Sequence, residues 1–230
     1  MKIYADNRML ALGLIGGTCS RHTGYLRTAN EQAPLYARLG VPADKILHLH
    51  QTHSDKLLTI STDTDAQTTV QHPEQEADGW VFATQGWGGA ILTADCVPLF
   101  LWDEQAKVFA LAHCGWKGVV KELPLKTAQA MWQMGAKGKI SGWLGPHIQS
   151  CCFEVQQDVA DQFHPTSVLH KNSKLFVDLN TEIKHQLQTA GLNPDDIRTP
   201  YYCTCGDKEN FFSWRRDHIR QNLLSFIYKP

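Results

Sequence analysis

Gly89-Ala90-Ile91-Leu92-Thr93-Ala94-Asp95-Cys96-Val97-Pro98-Leu99-Phe100 is an apolar, strand-like stretch that delivers a metal-ligand residue type, Cys96. Shortly after it, Phe109-Ala110-Leu111-Ala112-His113-Cys114-Gly115-Trp116-Lys117-Gly118 repeats the arrangement with His113. Buried strands that end in Asp-Cys and His-Cys-Gly place polar groups where a shared site is built, and they form the central strand pair of an α/β protein. The rest of the chain must supply a third partner and a pocket.

The composition sets the class. With 230 residues there is enough chain for a sizeable core, and 43% hydrophobic with 20% charged residues is ordinary for a soluble globular protein. A formal net charge of −1 gives no reason to expect nucleic acid or an anionic membrane as partner. Seven cysteines are an odd number in a chain too long to need staples, which favours a reduced, cytoplasmic setting. Met9-Leu10-Ala11-Leu12-Gly13-Leu14-Ile15 is too short and too poorly flanked for a signal-peptide core and reads as a strand. No stretch approaches the roughly 18 apolar residues of a membrane span.

Outward from the central pair, Gly16 to Gly24 is a polar, glycine-flanked loop carrying Arg21, suited to meeting an anion. Thr28 precedes a helix to Leu39. Ile46-Leu47-His48-Leu49-His50-Gln51-Thr52-His53 reads as a strand with His48 and His50 on one face and His53 at its end. Three such close histidines favour a metal or proton-handling role, although any one is more often structural. Lys56–Ile60 and Ala77–Ala83 are further strands, and the polar run from Ser61 to Glu76 is a loop. Helices are expected from Val119 to about Met134, from Cys151 through Phe163, and from Asp178 to Ala190. Lys139–Leu144 reads as a strand, and Arg198–Tyr202 as one confined by Pro200 to a sheet edge. With no repeat, low-complexity tract or linker, residues 1–230 read as a single mixed α/β domain.

His53, Cys96 and His113 come from well-separated segments and make three zinc ligands, leaving a fourth position open as catalytic zinc sites do. Closely spaced paired ligands of a structural finger are absent. His48-x-His50 is the one His-x-His pair, too few for a trinuclear copper cluster, so copper is the weaker choice. The His-x-Glu and Pro-Cys-x-x-Cys pattern of the zinc deaminases is absent as well. Cys96 with His113 also suits a nucleophile–base pair, a role that competes with zinc ligation.

Ser20-Arg21-His22-x-Gly24, Gln51-Thr52-His53, Ala77-Asp78-Gly79, Thr93-Ala94-Asp95-Cys96-Val97-Pro98 and His113-Cys114-Gly115-Trp116-Lys117-Gly118 occur in this order. Gly145-Pro146-x-Ile148, Cys152-Phe153-Glu154-Val155, Cys203-Thr204 and Phe211-Phe212-Ser213-x-Arg215-Arg216-Asp217 follow. In this combination nearly the whole chain resembles the YfiH family, also called the laccase-domain or polyphenol-oxidase-like family. The resemblance implies a layered α/β/β/α sandwich, with His53, Cys96 and His113 as zinc ligands. The implied activity is phosphorolysis of purine nucleosides (adenosine, inosine, guanosine and methylthioadenosine), with adenosine deamination as a companion reaction. The partners are then a nucleoside and phosphate. Separately from the resemblance, the protein is expected to be a monomer. Arg21 is the first phosphate candidate, with Arg215 and Lys117 behind it. Asp95 acts as acid or base, or orients a ligand. Trp116 and Phe212 are aromatic groups that can stack on a base, although core packing suits each better. The alternatives are a Cys–His hydrolase or amidase acting on cell-wall precursors, a phenol oxidase, and a non-enzymatic zinc-stabilised binding protein. The sequence departs from the family at a short N-terminal region, at Thr23 for glycine, Cys114 for alanine, Lys117 for arginine and His147 for a small residue. These departures are expected to alter the pocket rim.

Overall fold

Side-chain alternation along a few buried strands sets the layers, in a computed structural model that describes residues 2–105 and 107–230. The chain opens with β1 (Ile3–Tyr4), α1 (Asn7–Ala11), β2 (Ile15–Cys19), α2 (Ala29–Arg38), β3 (Ile46–Leu47), β4 (Leu57–Ile60) and α3 (Asp63–Gln71). The middle holds β5 (Gly79–Phe82), β6 (Trp87–Thr93), β7 (Val97–Asp103), β8 (Phe109–Cys114), α4 (Trp116–Val120), α5 (Leu123–Gln133) and β9 (Ile140–Leu144). It continues through β10 (Glu154–Val155), α6 (Gln157–Ala160), β11 (Val168–Lys171), β12 (Lys174–Val177) and α7 (Leu179–Thr189). It closes with β13 (Ile197–Arg198), α8 (Trp214–Asp217) and β14 (Leu223–Lys229).

Among the described residues, a five-stranded sheet runs β1-β2-β14-β6-β3 and a six-stranded sheet runs β13-β9-β7-β8-β5-β4, with β10-β12-β11 as a small third sheet. On β7, Val97, Leu99 and Leu101 pack with Met131 of α5 and Ile183 of α7. The alternate residues Phe100 and Trp102 face the other way, onto Ile91 of β6 and Ile227 of β14. The outer face of β14, Leu224, Phe226 and Tyr228, packs on Leu35 and Tyr36 of α2. The order of layers is therefore helix, sheet, sheet, helices, which is the expected α/β/β/α sandwich. Each fully buried large side chain at these interfaces contributes roughly 1.5–3 kcal/mol. Close sheet contact depends on Gly89, where a Cβ would lie 2.5 Å from the Trp80 ring.

Several local expectations give way to other chemistry. Met9–Ile15 is not one strand: Asp6 caps α1 by accepting the Arg8 N–H at 2.8 Å, and Gly13 (φ +76) turns the chain into β2. The polar run after Ser61 holds α3, opened by a Thr62–Asp65 capping box. Only Ile46 and Leu47 of the histidine-rich stretch are strand, because beyond them the chain leaves β6 and crosses to the Gln75–Ala77 segment. The helix expected from Val119 is two, broken at Glu122 (φ +64) with Pro124 in the first turn of α5. Cys151–Phe163 is mostly not helix: the N–H groups of Cys152 and Phe153 both bond the Gln149 carbonyl in a turn, and β10 then pairs with β12. Strand β13 ends at Arg198, ahead of Pro200, on the edge of its sheet. The β11–β12 hairpin and the central strand β14 are found only in the structure.

Candidate functional site

Cys96 lies in the short crossover from β6 to β7, and His113 sits on β8 opposite Pro98 of β7. Ladder pairing therefore fixes these two side chains relative to each other. Along β8, His113 falls on the same face as Phe109 and Leu111, whereas Cys114 faces the helices. His53 is in the loop after β3, in left-handed backbone (φ +57), with Nε2 3.8 Å from Cys96 Sγ. The ligand atoms of His53, Cys96 and His113 all fall within 4.8 Å of one another. Gly115 closes the corner: a Cβ there would lie 2.8 Å from His53 Cδ2 and 3.1 Å from Cys96 Sγ.

Asp78, just before β5, holds this arrangement together. Its Oδ1 accepts from His113 Nδ1 at 2.8 Å and from the His53 N–H at 3.0 Å. Its Oδ2 accepts from the N–H groups of Thr52 and Ser54 and from the Ser54 hydroxyl. With Nδ1 engaged, His113 directs Nε2 at the cluster, the usual arrangement for a metal-ligating histidine. One thiolate sulfur and two imidazole nitrogens, with a carboxylate behind one ring, are a donor set that can hold a metal ion.

Burial opposes the Cys96 thiolate, but the facing His113 charge and hydrogen bonds from both histidines bring the thiol down to about 6. Burial likewise opposes charge on His113, which the Cys96 thiolate and Asp78 raise to about 9. Each group thus favours the charged form of the other, the thiol drawn down and the imidazole drawn up. Burial works against ionised Asp78 too, and the bonds from His113 and Ser54 bring it to about 2.

The cluster opens into a cavity of about 910 Å³, within the range of small-molecule sites. Arg27, Lys117, Arg215 and Arg220 line it against a single carboxylate, Asp95. That carboxylate is fully engaged, accepting from Thr204 Oγ1 at 2.6 Å, Ser213 Oγ at 3.0 Å and the Arg215 N–H at 2.7 Å. Asp95 itself has φ +86. Its side chain pins the 204–215 segment behind the cavity and makes no hydrogen bond to the cluster. The lining therefore carries an excess of positive charge beside the sulfur and nitrogen donors, which suits an anionic ligand. Trp116 and Trp214 supply aromatic faces.

The remaining expected residues divide. Arg215 reaches the cavity, though its guanidinium donates to the Cys152 and Glu154 carbonyls at 3.2 and 2.9 Å. Lys117 is on the wall. Arg21 is not in the lining: its guanidinium donates to the Lys208 carbonyl and lies 5.0 Å over the Phe212 ring. Phe212 itself is buried, beneath a half-buried Arg21. His50 lines the cavity, but neither it nor His48 joins the cluster. Three departures from the family pattern miss the rim altogether, Thr23 among them. Cys114 is core, and buried His147 bonds the Gly145 carbonyl, with burial holding its ring near pKa 4. Arg27, Trp214, His218 and Arg220 of the lining and the positioning residue Asp78 escaped the sequence reading; only Asp78 had a signal, in the motif Ala77-Asp78-Gly79.

Residues 26–228 match the family described as multi-copper polyphenol oxidoreductase laccase. The chain is 34% identical over 195 residues to a purine nucleoside phosphorylase of Deinococcus radiodurans, covering 82% of this chain and 72% of that protein. It is 31% identical over 205 residues to Adenosine deaminase RL5 of an unknown prokaryotic organism, covering 83% and 77%. In fold it is similar to crystal structures of YlmD from Geobacillus stearothermophilus (TM-score 0.85, 22% identity, 94% and 92% covered) and of YfiH from Bacillus licheniformis (0.83, 24%, 95% and 93%).

Proposed function

The chain belongs to the multi-copper polyphenol oxidoreductase laccase family, and from that membership we propose that it is a zinc-dependent purine nucleoside phosphorylase with adenosine deamination as a companion reaction. The observation that carries this reading is one cavity in which a Cys–His–His donor set faces cationic and aromatic walls. The names of its relatives point the same way.

His53, Cys96 and His113 would hold the zinc ion, which when bound supplies Lewis acidity at that end of the cavity. Arg27, Lys117 and Arg220 bind phosphate and hold it against the ribose; Arg21, away from the lining, has no part in this. The purine stacks on Trp116 or Trp214. A phosphate oxygen forms a bond to the anomeric carbon as the bond to the purine nitrogen breaks, and the purine leaves with that electron pair. His218, edge-on to Trp214 at 5.7 Å, hands the departing base a proton. Asp95 keeps Arg215 and its loop in place and takes no part in proton transfer. Deamination in the same cavity forms a bond from a water oxygen to the purine C6 as the bond to the amino nitrogen breaks, and the nitrogen leaves as ammonia with a proton from water, the other proton staying on the purine. We place the reaction in the reducing cytoplasm, within one domain over residues 1–230 acting as a monomer.

Purified protein incubated with adenosine, with and without phosphate, tests this. Phosphate-dependent release of adenine and ribose 1-phosphate is expected; no turnover of any nucleoside would remove the proposal. A second reading has its own support, because the lowered Cys96 thiol and its contact with His53 also fit a nucleophile–base hydrolase. That reading requires Cys96→Ala to keep a full complement of zinc, whereas ligation by Cys96 requires its loss. Two imidazoles and one thiolate fall short of the imidazole-rich set a coupled copper cluster needs, so laccase chemistry is not part of the proposal.

A further inference from the structure

Three thiols meet in the loops beside Arg215, outside the cavity lining and apart from the cluster above. Cys151 Sγ lies 3.3 Å from Cys152 Sγ and 3.6 Å from Cys203 Sγ, and all three sulfurs fall within 4.8 Å of one another. They come from two loops stitched together at the His147–Cys203 bridge, where the Thr204 N–H donates to the His147 carbonyl at 3.0 Å. In the first loop, the turn closed on the Gln149 carbonyl brings the neighbouring thiols of Cys151 and Cys152 together. In the second, the Gly206 N–H donates to Cys203 Sγ at 3.3 Å, which fixes the direction of that sulfur as outer partners do for metal ligands. Burial is graded from buried Cys203 through half-buried Cys152 to exposed Cys151, so the sulfurs have a path to solvent.

The geometry points to a second metal site, in which the thiolates of Cys151, Cys152 and Cys203 hold one soft monovalent cation of the copper(I) class. Every donor in the group is sulfur, and all-sulfur sets select soft ions over the hard divalent ones. Structural zinc takes four ligands, and Cys205, although beside Cys152, is outside the group of mutually close sulfurs. Binding replaces S–H protons by metal–sulfur bonds, releases those protons to water, and changes no oxidation state. Both loops also touch the cavity frame: Thr204 donates to Asp95, and the Cys152 carbonyl accepts from Arg215.

The test is anaerobic titration of reduced protein with copper(I), in competition with a chromophoric copper(I) chelator. It compares Cys96→Ala, in which the other cluster is broken, with Cys96→Ala/Cys151→Ser. The first is expected to bind one copper(I), with an X-ray absorption spectrum fitted by sulfur neighbours alone. The second should lose more than the roughly 10–100-fold that removal of an outer partner costs. Cys151 carries the test because it is exposed, and circular dichroism checks that both variants are folded. Equal copper(I) affinity in the two variants overturns the proposal, as do nitrogen neighbours in the spectrum. Air oxidation to a Cys151–Cys203 disulfide, with no copper(I) uptake after reduction, overturns it as well and assigns these thiols to redox chemistry.

Discussion

Asp78 Oδ1 stands 2.8 Å from His113 Nδ1 while the same oxygen receives the His53 amide, so one carboxylate atom positions two members of the cluster. Asp78→Asn should lower metal affinity roughly 10–100-fold, read by competition with a chelator. It should also cost about 3 kcal/mol of stability, read as a urea midpoint, because it breaks a buried charged network. The pH dependence has a definite sign. The Asp78 carboxyl falls from 3.8 to about 2 on folding, so its contribution is present above pH 3.8 and is lost as pH drops toward 2. The variant should lose that acid slope, and an unchanged slope would show that Asp78 is not its source.

In the ion-free protein, Cys96 should be alkylated by iodoacetamide along a profile that rises through pH 6 rather than near 9. Its folded pKa is depressed, so the thiolate is present above about pH 6 and is lost below it. Saturating zinc should protect the thiol. Mass spectrometry of the labelled peptides checks this, with buried Cys114, whose thiol burial pushes up, as the unreactive control.

Gly115→Ala tests the close approach at the corner of the cluster. The added methyl would sit 2.8 Å from His53 Cδ2 and 3.1 Å from Cys96 Sγ, so the ring must shift from its place in the cluster. Metal affinity should drop at least about tenfold, comparable to loss of an outer partner, with a melting temperature near that of wild type measured without metal. Full metal affinity in this variant would mean that His53 lies outside the metal site.

For Asp95, removal of the carboxylate should matter more to stability than to chemistry. Asp95→Ala leaves buried Thr204 and Ser213 hydroxyls without their acceptor and puts alanine at φ +86, costing about 3 kcal/mol or more. Asp95→Asn keeps an acceptor oxygen and tolerates that backbone, so it should retain most activity. Near-complete inactivation of a well-folded Asp95→Asn would restore an acid–base role.

Arg27→Ala should raise the phosphate KM at least about tenfold, the scale of losing one charge-assisted bond, while Arg21→Ala leaves it within twofold. Steady-state kinetics at varied phosphate separate the two. The reverse ranking would return the anion site to the loop before Gly24.

The legible part of this protein is what strand periodicity and residue chemistry reveal together. The runs around Cys96 and His113 are long, apolar and buried, so their pairing, and the convergence of the Cys and His near their ends, could be read from the chain. Asp78 belongs to a motif of the chain, but its role depends on a loop, Thr52–Ser54, converging with strand β8, which no local pattern records. Arg21 and Arg27 differ by six positions in one polar segment, and only the packing of Arg21 against Phe212 and Lys208 decides which reaches the cavity. The helix after Ser61 did leave a trace, Thr62 and Asp65 at capping-box spacing, outweighed by a polar stretch that lacks an apolar stripe. Leu223–Lys229 is a plain apolar run at the end of the chain, and its place between β2 and β6 is a matter of topology.

Cys96 belongs to neither sheet but to the step between them, three residues past the end of β6 and one before β7. A cation held there, by His113 on β8 and by His53 from the loop after β3, would work as a rivet through the sandwich, resisting any slide of one sheet over the other. Extracting it should loosen the seam where Trp80, Trp102 and Trp143 are sealed, so their fluorescence offers an optical gauge of occupancy at a site none of them touches.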